Sequence, residues 1–457
     1  MSQNRVRLLA GVVPLGIFFA FAGDGIRGYF APDEMMNLYA AWFPPIWKLI
    51  QNDRPIGALA YRALFAGFGL NPLPYRFLCF VLLLANLALL YEFCRLVSGS
   101  REIAILACVI GAYHAHLADL YYISSIIFDL LCFFFYYCAF VYYLLVRNRS
   151  RGAGAADVGV LAVLYLGALG SKEMAVTLPV LMLVYEMIYY RGKLSMAAIG
   201  REIRHHAWFP VLSIPITIAY LAFKTAGAHR MTLNPDYLPQ PSARIFLAGW
   251  QHYLFDLFYH AVKFSNFTVI AVWVGMLALA IAARNRDLLF AWCLALIGAL
   301  PFIFINPRGF FVMYLTLPGW YLYASRALVL LRDGALRGFR NRPVVCGVRL
   351  EQLVLFALVT AAVIPAHRHE KPLGNAWVPA AIQQTRPVIE RLAVVNPKLP
   401  HAAKVLFLSD PCPVDDYLLY FIVALHFRDK DVQVDRVKVN AALAAERSKY
   451  DYVFSVD

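Results

Sequence analysis

Charge is what this chain has least of. Only 15% of its 457 residues are Asp, Glu, Lys or Arg, 61% are hydrophobic, and the mean hydropathy is +0.60. A soluble domain carries about 25% charged residues, so the composition excludes a soluble globular enzyme. Acidic residues are the scarcer sign, 28 against 42 Lys and Arg, for a net charge of +14. That excess could suggest nucleic acid as a partner. The basic residues, however, sit in short gaps between apolar runs, which is the pattern of cytoplasmic loops and excludes that class. Cysteine is sparse too, with 8 in the chain. Cys79, Cys94, Cys108, Cys132, Cys138, Cys293 and Cys346 lie in apolar runs or inward gaps, and Cys412 stands alone in the last extramembrane stretch. There is no disulfide framework and no structural zinc spacing. Internal repeats of about 20–50 residues are absent as well.

Aromatic residues are plentiful, 33 Phe and 27 Tyr, which suits interfacial belts and adaptable cavities. A helix crosses a bilayer with about 20 residues. Apolar segments at 8–22, 76–97, 102–118, 123–146, 156–170, 174–190, 208–223, 263–283, 288–305, 310–331 and 349–366 predict roughly eleven transmembrane helices. Arg5 and Arg7 before the first segment resemble a signal peptide, but the many spans that follow make it an uncleaved first helix. Basic residues mark alternate gaps: Arg95/Arg101, Arg147/Arg149/Arg151, Arg191/Lys193/Arg201/Arg204, Arg284/Arg286 and Arg332/Arg337/Arg340/Arg342/Arg349. The alternation puts the N-terminus in the cytoplasm and the C-terminus outside. It assigns 23–75, 119–122, 171–173, 224–262, 306–309 and 367–457 to the external, periplasmic or lumenal, face. Residues 35–50 and 241–262 read as helices lying in the interface. Beyond residue 366, "KVLFLSD" (404–410) and "YDYVFSV" (450–456) read as strands and Asp415 to Phe427 as a helix. The expected fold is an all-α polytopic membrane bundle over residues 1–366, with a small external α/β domain over 367–457.

Chemistry-bearing residues gather at the outer helix ends. Asp33 and Glu34 follow the first span, Asp53 and Arg54 precede the second, Asp119 lies in a short loop, and Arg308 sits in "NPRG". Lys172 and Glu173 form a three-residue hairpin with Ser171. So tight a turn between apolar helices pairs its charges within the bundle. Asp129, inside the fourth span, costs about 2.5–3.5 kcal/mol on insertion scales and must be neutralised, paired or facing a cavity. His114 and His116 do not share a helical face, which argues against a helix-borne metal pair. A carboxylate that can take a hydroxyl proton, cations that can hold a phosphate and apolar surroundings suit group transfer from a lipid-borne substrate.

Five segments together resemble the membrane-embedded GT-C glycosyltransferases, in particular the membrane part of the transmembrane and tetratricopeptide-repeat O-mannosyltransferases and their bacterial relatives. They are "FAPDEMMN"; "DRPIGALAYRALFAGFGLNPLPYRF", with Arg54, Pro55, Tyr61, Arg62, Gly69, Asn71, Pro72 and Tyr75; "HAHLADLYYIS"; "GSKEMAVTLPVLMLVYE"; and "YLTLPGWYLYAS". The likeness covers most of residues 25–190 and part of 306–325. The chain departs from it at Ala118, at Ile126 and Ile127, and at Met313, where charged residues are expected, and it lacks the tetratricopeptide repeats.

The resemblance implies an inverting transferase that uses a polyprenyl-phosphate sugar donor. It makes Asp33 the general base, supported by Glu34, and gives the donor phosphate to Arg54, Lys172 and Arg308. Asp53, His116, Asp119 and Glu173 would support them. No cofactor is certain; a divalent cation, magnesium or manganese, would sit on Asp33 and Glu34 if one is used. The expected partners are membrane lipid, the lipid-linked donor and an acceptor that is protein, lipid or glycan, with no nucleic acid, in a bacterial inner membrane. A secondary transporter or flippase is the rival class, though no matching halves are visible, and a non-catalytic scaffold is another. Sugar transfer from a lipid-linked donor separates the enzyme from both.

Overall fold

A computed structural model describes residues 3–51, 54–149, 154–190, 208–226, 235–260, 262–338, 343–345 and 348–456. Each apolar segment picked out in the sequence contains an α-helix: Gln3–Ala22, Pro72–Ser98, Arg101–Gly111, Ile127–Arg147, Ala155–Ser171, Leu178–Tyr189, Trp208–Ala226, Asn266–Ala282, Arg286–Gly298, Leu317–Ala335 and Leu350–Gly374. Local signals set many of the ends. Ser100, Ser242, Ser265 and Asn285 each accept a hydrogen bond from the backbone N–H three residues on, which satisfies an orphan donor of the first turn. Pro32 and Pro55 open helices where a missing N–H costs nothing.

Among the described residues, Pro72–Ser98, Ile127–Arg147 and Leu350–Gly374 are each long and apolar enough to cross a membrane. Two bent pairs, Gly11–Arg27 with Pro32–Trp42 and Arg101–Gly111 with Ala115–Tyr122, raise the number to five if each is one span. The chain is an integral membrane protein. The expected continuous span at 102–118 is instead broken after Gly111, with a bend of 70° to Ala115–Tyr122. Polar groups at the break find partners: Ala115 N donates to the Tyr259 hydroxyl (3.1 Å), and His114 Nε2 lies 3.2 Å from the Leu257 carbonyl oxygen.

The chain forms two compact units. The first comprises Met1–Phe21, Leu82–Leu117 and Asp129–Lys371; among its described residues the regular elements are helices apart from a two-residue ladder at Val344–Val345 and Val348–Arg349. Its Arg286–Gly298 and Leu317–Ala335 helices meet at Gly319, where a Cβ would stand 2.8 Å from Ala295 N. Small residues permit such approach where apolar contact alone does not drive helices together.

The second unit comprises Ala22–Val81, Ala118–Phe128 and Pro372–Asp457. Its sheet is parallel, with Lys404–Phe407 between Gln433–Arg436 and Tyr452–Phe454. The Leu418–Phe427 helix connects the first two strands, a βαβ crossover. The strands expected at 404–410 and 450–456 and the helix ending at Phe427 are present; the strand "QVDR" and the helix Val378–Val395 were not expected. An edge strand with one buried side chain, Arg436, carries no hydropathy signal. The helix expected over 35–50 is two helices, Pro32–Trp42 and Ile46–Ile50, separated at Pro44 and Pro45.

Candidate functional site

The second unit brings three motif segments together. Glu34 occupies the third position of the Pro32–Trp42 helix and is fully buried. One carboxylate oxygen accepts from the backbone N–H (2.5 Å) and the hydroxyl of Ser124; the other accepts from Ala31 N. The Ser124 carbonyl oxygen in turn accepts from the Tyr61 hydroxyl (2.7 Å). Four residues on, the Phe128 ring lies under the Arg54 guanidinium, 5.7 Å from centroid to carbon, and against Gly57. Residues 31–34, 54–61 and 124–128 are thus fixed to one another. Arg76, fully buried, closes the group from behind by donating to the carbonyl oxygens of Gly25 (3.1 Å) and Tyr121.

Within this frame the two acidic neighbours differ. Glu34 has both oxygens occupied, while Asp33 is exposed on the first turn, with no hydrogen bond or ion pair to another described residue. Arg54 is half-buried at the start of the Pro55–Phe68 helix. Asp53 lies outside the described residues, as do Arg151 and the basic runs at 191–207 and 340–342. Asp119 is half-buried in the short helix Ala118–Tyr122. Neither Asp33 nor Glu34 belongs to a three-ligand group of His, Cys, Asp or Glu among the described residues.

The remaining candidates belong to the first unit. Lys172 is an extended residue between two helices (φ −159°, ψ 146°), and its ammonium is buried 2.5 Å from the Asp129 carboxylate. The Phe311 ring lies 5.1 Å from the same nitrogen. The costly carboxylate and the hairpin lysine are each other's partners, a pairing that neither residue's local sequence reveals. Glu173 is half-buried in the turn that follows. Arg308 stacks on Tyr237 (4.8 Å), donates to its hydroxyl (3.2 Å) and stands 3.7 Å from the Asp236 carboxylate.

His116 leads to a group that sequence reasoning missed. Asp256 and His260, about 140 residues further along the chain and so invisible to any local spacing, meet it here. Asp256 Oδ1 is 3.4 Å from His116 Nδ1 and 2.9 Å from His260 Nε2. Asp256 Oδ2 is 3.6 Å from His252 Nε2. Burial alone would push the Asp256 carboxyl up, but the hydrogen bonds from His116 and His260 outweigh it and hold the group below its ordinary range.

No protein-family model matches the chain, and no curated protein matches it. Among solved structures, the fold is similar to the crystal structure of ArnT from Cupriavidus metallidurans bound to undecaprenyl phosphate. The TM-score is 0.49 and the identity 13%, over 99% of this chain and 90% of that one.

Proposed function

We propose that this chain is an inverting glycosyltransferase that moves a sugar from a polyprenyl-phosphate donor to an acceptor hydroxyl at the external face of the membrane. The observation that carries this reading is the clasp of Glu34 on Ser124. It fixes the first turn of the Pro32–Trp42 helix, so that Asp33 is held at a defined place yet keeps an exposed carboxylate. The same 124–128 segment supports Arg54 through Phe128. A rigid frame around an unpaired carboxylate suits a general base.

In the reaction Asp33 takes the proton of the acceptor hydroxyl while that oxygen bonds to the anomeric carbon. The bond from the anomeric carbon to the phosphate oxygen breaks on the opposite face, so configuration inverts. Polyprenyl phosphate leaves with the electron pair, and the Arg54 fork pairs with its new charge. Glu34 touches no substrate and acts as a positioning residue.

The decisive experiment uses purified protein in lipid, a polyprenyl-phosphate sugar and a measured transfer product. Asp33→Asn keeps shape but cannot take a proton, so turnover should fall by about 10²–10⁴ while donor binding persists. Arg54→Ala should weaken donor binding as well as rate. Near-normal turnover in Asp33→Asn excludes it as the base, and transport of the donor without a transfer product would favour the flippase.

The reading extends to topology: roughly eleven crossings, a cytoplasmic N-terminus, residues 1–366 as the catalytic membrane part and residues 367–457 periplasmic, in a bacterial inner membrane. Contacts inside the second unit support one shared side for 23–75 and 367–457. The Tyr39 and Tyr420 hydroxyls are 3.0 Å apart, and Thr385 donates to the Phe30 carbonyl oxygen.

A further inference from the structure

We propose that His116, Asp256 and His260 bind a divalent transition-metal ion of the zinc class, a proposal independent of the transferase reading. One ligand atom from each side chain, two imidazole nitrogens and a carboxylate oxygen, lies within 4.8 Å of the others. Zinc takes just this donor set, at about 2.0–2.2 Å from each atom, and commonly keeps a fourth position for water. An ion would draw the three groups slightly closer.

The ligands are held before any ion arrives. Phe255 stacks on the His260 ring (4.1 Å, 15°), and Phe310 packs edge-on to His116 (6.2 Å, 86°). The His260 backbone lies in the left-handed region with Tyr259 before it (φ 59° and 53°). That costs energy in a side-chain-bearing residue, and here it turns His260 back toward Asp256. Tyr259 anchors the turn by bonding Ala115 N (3.1 Å) and His367 Nδ1 (2.8 Å). An outer partner is in place as well: His252 Nε2 faces the Arg308 carbonyl oxygen (3.2 Å) and the far oxygen of Asp256 (3.6 Å). Such outer contacts orient a ligating carboxylate.

The His116 and His260 rings lie 4.5 Å apart, and His252 also faces the one carboxylate. A metal would take lone pairs from two neutral imidazoles and the carboxylate. Its effect would be a clasp between the turn at His114–Leu117 and the segment after the Ala243–Leu257 helix.

The test uses full-length purified protein without a polyhistidine tag, stripped with a chelator and titrated with Co²⁺, whose visible ligand-field absorption reports imidazole and carboxylate ligation. One saturable equivalent, displaced by Zn²⁺, is expected. Asp256→Asn and His260→Ala should each weaken it by at least ~100-fold, beyond the ~10–100-fold typical of outer-shell changes. His401→Ala, in the exposed group of His401, Asp429 and Asp431, should leave it unchanged. His260 is half-exposed, so its variant decides the matter if Asp256→Asn misfolds. Zn²⁺ should also raise the melting temperature of the parent but not of His260→Ala. No saturable equivalent, or a spectrum insensitive to His260→Ala, overturns the site.

Discussion

Lys172 and Asp129 share a hydrogen bond of 2.5 Å in an apolar setting, both more than nine-tenths buried. Removing one partner of such a pair strands the other, at a typical loss of about 3–5 kcal/mol, whereas replacing both with apolar residues is often neutral. Lys172→Met should therefore lower the melting temperature sharply, and Lys172→Met with Asp129→Leu should recover most of it. A single variant that melts like the parent would mean the pair contributes nothing. The double variant also answers a functional question, because stability no longer confounds it. Retained donor affinity assigns the ammonium to structure, and lost affinity assigns it to the donor phosphate.

Element boundaries turn on smaller details, and the Pro55–Phe68 helix offers a controlled comparison. At Gly57 a Cβ would run into the Phe128 ring, whereas at Gly67 it would meet nothing within 4 Å. Gly67→Ala should thus stabilise by roughly 0.5–1 kcal/mol through helix propensity. Gly57→Ala should destabilise despite the same propensity gain, and should reduce transfer by moving the segment that supports Arg54. Thermal unfolding of the two variants side by side checks the opposite signs. This helix was not anticipated from the sequence, where 23–75 was assigned to the external face with a helix only over 35–50; the longer apolar helices were legible, because apolar length is a local property. The clasp was not: Glu34 and Ser124 are separated by 90 residues, and nothing in "FAPDE" distinguishes a buried carboxylate from an exposed one. The motif likeness singled out this segment and implied Asp33 as the base with Glu34 in support, but not the contact that buries Glu34. The 70° break after Gly111 was hidden for a related reason, since the groups that satisfy it, Leu257 and Tyr259, come from a distant helix end.

At the scale of the molecule, ion pairs and hydrogen bonds between helix ends bear on the proposed alternation of basic gaps. A helix end assigned to the cytoplasmic face can touch only other ends on that face. In the first unit Arg147, closing the fourth apolar segment, pairs with Glu186, closing the sixth (3.0 Å). Tyr189 donates to Asp287 in the gap before the ninth (2.8 Å), and Glu102 at the start of the third pairs with Arg332 at the end of the tenth. All six groups fall on the inward side of the charge pattern. Lys172 with Asp129, Tyr259 with His367 (2.8 Å) and Asn306 with Asp236 (3.3 Å) join groups on its outward side. The native Cys346 lies in the gap after Arg332 and should be cytoplasmic. In a variant whose other cysteines are replaced, a membrane-impermeant thiol reagent applied to sealed cells should leave Cys346 unlabelled until the membrane is opened. His401→Cys in the same background, with Cys346 also removed, should label at once, because His401 is 76% exposed. Labelling of Cys346 in sealed cells would invert the orientation, and with it would move Asp33 and Arg54 to the face opposite the one where the transfer is proposed to occur.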